Sequence, residues 1–96
     1  MTFPVRAVDL IMCVTPFGEP DHRLTAAVCA SGGLGVLDLG RGDRRTREAL
    51  ARLKRAVRAP YGVRVAPGCG LTPEDLDELP DTVVLAADAP WSAGRL

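Results

Sequence analysis

Apolar residues fall into short runs along the chain, and the more polar stretches between them repeat at helical spacing. The first run, Leu10-Ile11-Met12-Cys13-Val14, lies within a segment from about Asp9 to Thr15 and meets the turn-rich Pro16-Phe17-Gly18-Glu19-Pro20. It reads as a strand buried on both faces, with Ile11 in the core. Asp21 is placed to cap a helix in which Leu24, Ala27, Val28 and Ser31 share one face, and Gly32-Gly33 stops it. Leu34 to Leu39 reads as a second strand, closed by Gly40-Arg41-Gly42. Asp43 caps a second helix with Thr46, Leu50, Leu53 and Val57 turned inward, and Pro60 forbids its continuation. Tyr61 to Val65 gives a third strand. Thr72-Pro73-Glu74 supplies the N-cap, proline and acidic first turn of a short helix through about Leu79, and Thr82 to Ala87 is a fourth strand. Trp91, in the loop that follows, reads as an apolar plug.

Strand starts near residues 9, 34, 61 and 82 are each separated by the length of one strand, one helix and two short loops. This alternation predicts an α/β fold with a parallel sheet and right-handed crossovers. At roughly 25 residues per unit an eightfold barrel needs about 200 residues, close to the ~250 usual for that fold. Residues 1–96 are therefore expected to form one βαβαβαβ portion without an internal boundary, the first half of a (β/α)8 TIM-barrel-like fold.

A hydrophobic share of 47% excludes a disordered chain, and a net charge of zero with 4% aromatics argues against nucleic-acid binding. The charge is nonetheless uneven. Residues 41–58 hold eight basic groups against two acidic ones, and residues 74–88 hold six acidic groups and no basic one. The basic stretch reads as a solvated helix face, complementary to the acidic segment or to a docking partner. The sequence contains no apolar run long enough for a membrane span and no secretory pattern at its start, so no membrane association and a cytoplasmic location are expected. Cys13, Cys29 and Cys69 suggest neither disulfides nor a metal site; only Cys69, in a Pro-Gly-Cys-Gly loop, reads as exposed. His22 reads as a surface helix residue.

The sharpest local signature is Ala26-Ala27-Val28-Cys29-Ala30-Ser31-Gly32-Gly33-Leu34-Gly35-Val36-Leu37, in which small residues lead through a double glycine into a strand. Phosphate-binding glycines follow a strand and open a helix, so these serve close helix–strand packing instead. Together with the first strand and Ala59-Pro60-Tyr61-Gly62-Val63, the segment resembles the nitronate monooxygenase family, also called 2-nitropropane dioxygenase-like, which includes flavin-dependent enoyl reductases. The chain is also similar to a barrel segment found at the N-terminus of some actinobacterial modular polyketide synthases. The resemblance implies the N-terminal part of an FMN-dependent oxidoreductase domain of a polyketide synthase, acting in polyketide biosynthesis and expected to be degenerate in catalysis. Its phosphate loops and catalytic histidine would belong to later strands, so this chain has no catalytic residue to assign and is not expected to retain FMN alone. Two positions depart from the family pattern: Val14-Thr15-Pro16-Phe17 replaces an Ala-Pro-Met type of stretch, and Arg64 stands where asparagine is usual.

In a barrel, chemistry sits at the C-terminal ends of strands. That brings forward Thr15, Pro16, Phe17, Asp38, Arg64 and Asp88 as residues able to meet a cofactor, with Arg64 as clamp for an anionic ligand or flavin edge and Asp38 or Asp88 holding it. A rim closed on itself by salt bridges is the competing expectation. The expected partners are the remaining barrel half, other polyketide synthase domains, or a second copy joined through open sheet edges. A non-catalytic docking or dimerisation module is the alternative function.

Overall fold

The computed structural model describes residues 11–76 and 79–92. Strands β1 (Met12–Val14), β2 (Leu34–Asp38), β3 (Gly62–Val65) and β4 (Thr82–Leu85) form one sheet in the order β1-β2-β3-β4, every neighbouring pair parallel. Helices α1 (His22–Ala30) and α2 (Arg44–Ala56) follow β1 and β2 and pack against each other. The expected alternation of parallel strands with helices is thus the observed architecture. The expected start of the first strand, Asp9 and Leu10, lies outside the described residues. No helix among the described residues is long and apolar enough to cross a membrane.

Register assigns the faces of the sheet. Leu37 pairs with Val63 and Val63 with Val83, and these side chains meet Leu39, Leu50, Leu53 and Val65 in the core under the helices. On the opposite face Val14 pairs with Val36, Val36 with Gly62, and Asp38 with Arg64.

The inward face of α1 differs from the stripe the sequence suggests. Asp21 caps the helix as expected, its Oδ1 accepting the Leu24 N–H at 3.1 Å, but the buried residues are Thr25 and Cys29, while Ala27 and Ser31 are exposed. Both buried side chains have a carbonyl to donate to, one local and one distant in sequence. The Thr25 hydroxyl donates to the Asp21 carbonyl at 3.1 Å and the Cys29 thiol to the Pro60 carbonyl at 3.5 Å. They press on β2 at Gly35, where any Cβ would meet the Thr25 carbonyl oxygen and lie 3.0 Å from the Cys29 Sγ. The helix closes as the double glycine suggests, with the Gly33 N–H bonded to the Val28 carbonyl at 3.0 Å. Ala27, Val28 and Ser31 instead line an open apolar groove with Ile11, Cys13 and Gly33. Ile11 is 66% exposed, so it is not the core residue its run suggests.

In α2 the expected stripe holds for Thr46, Leu50 and Leu53, joined by Ala49, and Val57 packs half-buried just past the helix end. The Asp43 Oδ1 caps this helix by accepting from the Arg45 and Thr46 N–H groups. Where a third helix through about Leu79 is expected, the described residues hold one 3-10 turn, Pro73–Asp75, with Leu76 already extended at φ −91° and ψ 131°; residues 77–78 lie outside the described residues. Asp75 folds back, accepting the Thr72 N–H at 2.7 Å. Hydrogen bonds from the Thr72 backbone and hydroxyl hold the Asp75 carboxyl below its ordinary range.

Candidate functional site at the strand ends

The loops that leave the C-terminal ends of the four strands are tied to one another in series. Thr15, buried at the end of β1, donates its hydroxyl to the Glu19 carbonyl at 2.7 Å and accepts the Asp38 N–H at 2.9 Å. It thereby joins the first loop to the end of β2. The second loop approaches the third so closely that a Cβ on Gly42, at φ +70°, would fall 2.6 Å from the Leu71 nitrogen, and the Gly70 N–H bonds to the Arg41 carbonyl at 2.8 Å. The third loop takes up Trp91 from beyond β4, whose Nε1 donates to the Leu71 carbonyl at 2.6 Å. A further ion pair, Arg45 to Glu19 at 2.9 Å, braces α2 against the first loop.

Within this frame the Arg64 Nη1 lies 2.9 Å from the Asp38 Oδ2, and the Asp38 Oδ1 accepts the Gly40 N–H at 2.8 Å. The Asp38 side chain is only 3% exposed, whereas 34% of Arg64 reaches solvent. Asp38 therefore positions, and Arg64 presents. No buried side-chain nitrogen or oxygen among the described residues lacks a partner, so the pair is internally satisfied.

Of the residues singled out in the sequence, Thr15, Asp38 and Arg64 are brought together. Thr15 works as a loop tie rather than an exposed contact. Pro16 is exposed in a 3-10 turn, Pro16–Gly18, and the Phe17 side chain lies outside the described residues. Asp88 is exposed in a turn closed by the Ala89 N–H on the Ala86 carbonyl, so the carboxylate that holds Arg64 is Asp38 and not Asp88. The tie through Arg41 and Gly42 carries no sequence signal beyond the glycines themselves.

Cys69 is a correction. Its side chain is 6% exposed inside the core cluster with Leu71 and Trp91, and burial raises its thiol pKa above the ordinary value. A raised pKa leaves less thiolate at neutral pH, and the thiolate is the reactive form. Alkylation at pH 7 followed by peptide mass spectrometry is expected to modify Cys69 only as fast as the domain opens. Labelling of folded chain at the rate of an unfolded thiol would contradict this.

A polar cleft of about 440 Å³ opens beside the first loop, between the start of α1 and the face of α2, lined by Glu19, His22, Arg45, Glu48 and Arg52 among others. Among the described residues no group of His, Cys, Asp and Glu is arranged to hold a metal ion. Comparison of the chain with models of protein families, with curated proteins and with solved structures finds no match.

Proposed function

We propose that the chain is the β1-to-β4 half of a (β/α)8 barrel, and that this barrel is a flavin oxidoreductase domain of the nitronate monooxygenase type on a polyketide synthase. The observation that carries the proposal is strand order. A doubly wound sheet reverses direction and places helices on both faces, with its ligand at the reversal. Here the order of the four described strands never reverses and α1 and α2 share one face, which supports the winding of a barrel over that of a doubly wound sheet. The helix-to-strand junction at Gly32 to Leu37 supports the flavin part of the reading.

Arg64 suits a hydrogen-bond acceptor on a ligand edge, held in place by Asp38. A seat for the FMN phosphate does not fit these residues. Helix N-termini bind phosphate through open N–H groups, but Asp21 and Asp43 already cap α1 and α2 and place carboxylates there. The phosphate is therefore assigned to later strands of a parent protein. The purified 96-residue chain is expected to lose FMN on desalting, and stoichiometric flavin absorbance afterwards would overturn that assignment. The reading frame past Leu96 tests the barrel itself. Four further βα units with a late glycine-rich loop are expected; a stop or a ketosynthase-like sequence directly after Leu96 would overturn the reading. A dimerisation module is the second reading, favoured by the character of the sheet edges.

A further inference from the structure

Among the described residues β1 and β4 are the two edges of the sheet, and neither strand carries the charge or proline with which proteins protect an edge. Their outward backbone groups follow from the ladder. The Thr15 N–H bonds to the Val36 carbonyl and the Ile11 carbonyl accepts from Leu34, so by alternation Met12 and Val14 turn their N–H and C=O groups to the free edge. On the other side the Ala86 N–H bonds to the Val65 carbonyl, which leaves Val83 and Leu85 facing outward. The edge side chains are also incompletely covered. Met12 is 51% exposed and every residue of β4 is only half-buried, whereas Val36, Leu37, Val63 and Val65 in the central strands are fully buried.

We propose that two copies of this chain pair β4 of each with β1 of the other, closing an eight-stranded parallel barrel that carries two Arg64–Asp38 pairs on one rim. The proposal rests on the half-barrel reading above and not on its flavin part, and it concerns the 96-residue chain by itself: where further βα units follow in a parent protein, they take the place of the second copy. All four strands point the same way, so the free edge of β1 is what β4 would meet if the sheet simply continued. A twofold axis along the barrel keeps the strands parallel and makes the two seams identical, so the assembly is complete at two copies. Eight strands enclose a space that side chains can fill. The side chains on the helix-free face suit that space: Met12, Val14, Leu34, Val36 and Val84 are apolar, Thr82 is uncharged, and among the described strand residues charge appears only at the Arg64–Asp38 end. On the helix side, Val83 and Leu85 of the second copy would arrive beside Ile11 and Cys13, at the open groove along α1.

Light scattering coupled to size exclusion, on the whole 96-residue chain at micromolar concentration, tests this against two edge variants. Wild-type chain is expected at twice its 10.2 kDa mass. Met12→Lys sets a charge on an exposed edge position facing the proposed interior, and Val83→Pro removes an N–H that the chain's own ladder does not use. Each is expected to weaken the dimer at least about 100-fold, leaving a single copy with unchanged far-ultraviolet circular dichroism. A wild-type single copy, a mass that keeps growing with concentration, or a Met12→Lys variant that stays dimeric would each overturn the proposal. None of these outcomes bears on FMN retention, which is read separately by absorbance.

Discussion

Replacing Gly35 with alanine is expected to lower the melting temperature by more than about 10 °C, for the addition of a single methyl group. The added Cβ meets the Thr25 carbonyl oxygen and lies 2.9 Å from the Thr25 Cγ2 and 3.0 Å from the Cys29 Sγ. The first obstacle is backbone, so no rotamer change relieves it and α1 must lift off β2. Overpacking costs about 1–3 kcal/mol where side chains can adjust, and the upper end or more is expected where they cannot. A domain of this size has only about 5–14 kcal/mol in total. Gly32→Ala is the informative comparison. Gly32 sits at φ +90° with nothing within 4 Å of an added Cβ, so its replacement meets backbone strain alone, about 1–2 kcal/mol. Thermal melts by circular dichroism should therefore rank Gly35→Ala well below Gly32→Ala. The reverse order would mean that α1 does not pack on β2 through that glycine.

The contrast between these glycines marks how much was legible in the sequence. Gly32-Gly33 ends a helix, a local event that spacing alone reveals, and the structure has it there. Gly35 is required by Thr25 and Cys29 from a neighbouring element, and a threonine on an inward helix face runs against the apolar pattern used to find such faces. The same distinction separates the elements. Strands β2, β3 and β4 follow from short apolar runs, and both α-helices from their aspartate caps. Ile11 misleads because an apolar residue on an edge strand looks the same in sequence as one in a central strand. At the rim, Asp38 and Arg64 could be found because Asp38 ends β2 and Arg64 lies one residue before the end of β3, and register sets them side by side. Asp88 ends no strand, since β4 stops at Leu85, and a turn carries it away. The burial of Cys69 depends on Leu71 and Trp91 closing over it, and no local pattern announces that contact.

Arg64→Met is expected to cost about 3–5 kcal/mol of unfolding free energy, read from the midpoint of denaturant unfolding at neutral pH. The reason lies in the partner left behind. The Asp38 side chain is 3% exposed, and once the guanidinium is gone only the Gly40 N–H remains to stabilise its charge. Exposed ion pairs contribute about 0–1 kcal/mol, so the size of the loss distinguishes a desolvated pair from a surface one. The double variant Asp38→Asn with Arg64→Met removes the charge while keeping an oxygen for the Gly40 N–H. It should recover at least about half of the single variant's loss, since truncating one partner of a buried pair costs more than neutralising both. A single-variant loss below about 1 kcal/mol, or a double variant no more stable than the single, would mean that Asp38 is better solvated than its burial indicates. The recovered double variant also separates two roles that Arg64 combines. It keeps the rim folded without a guanidinium, so any ligand whose binding it abolishes was held by Arg64 itself and not by the shape of the loops.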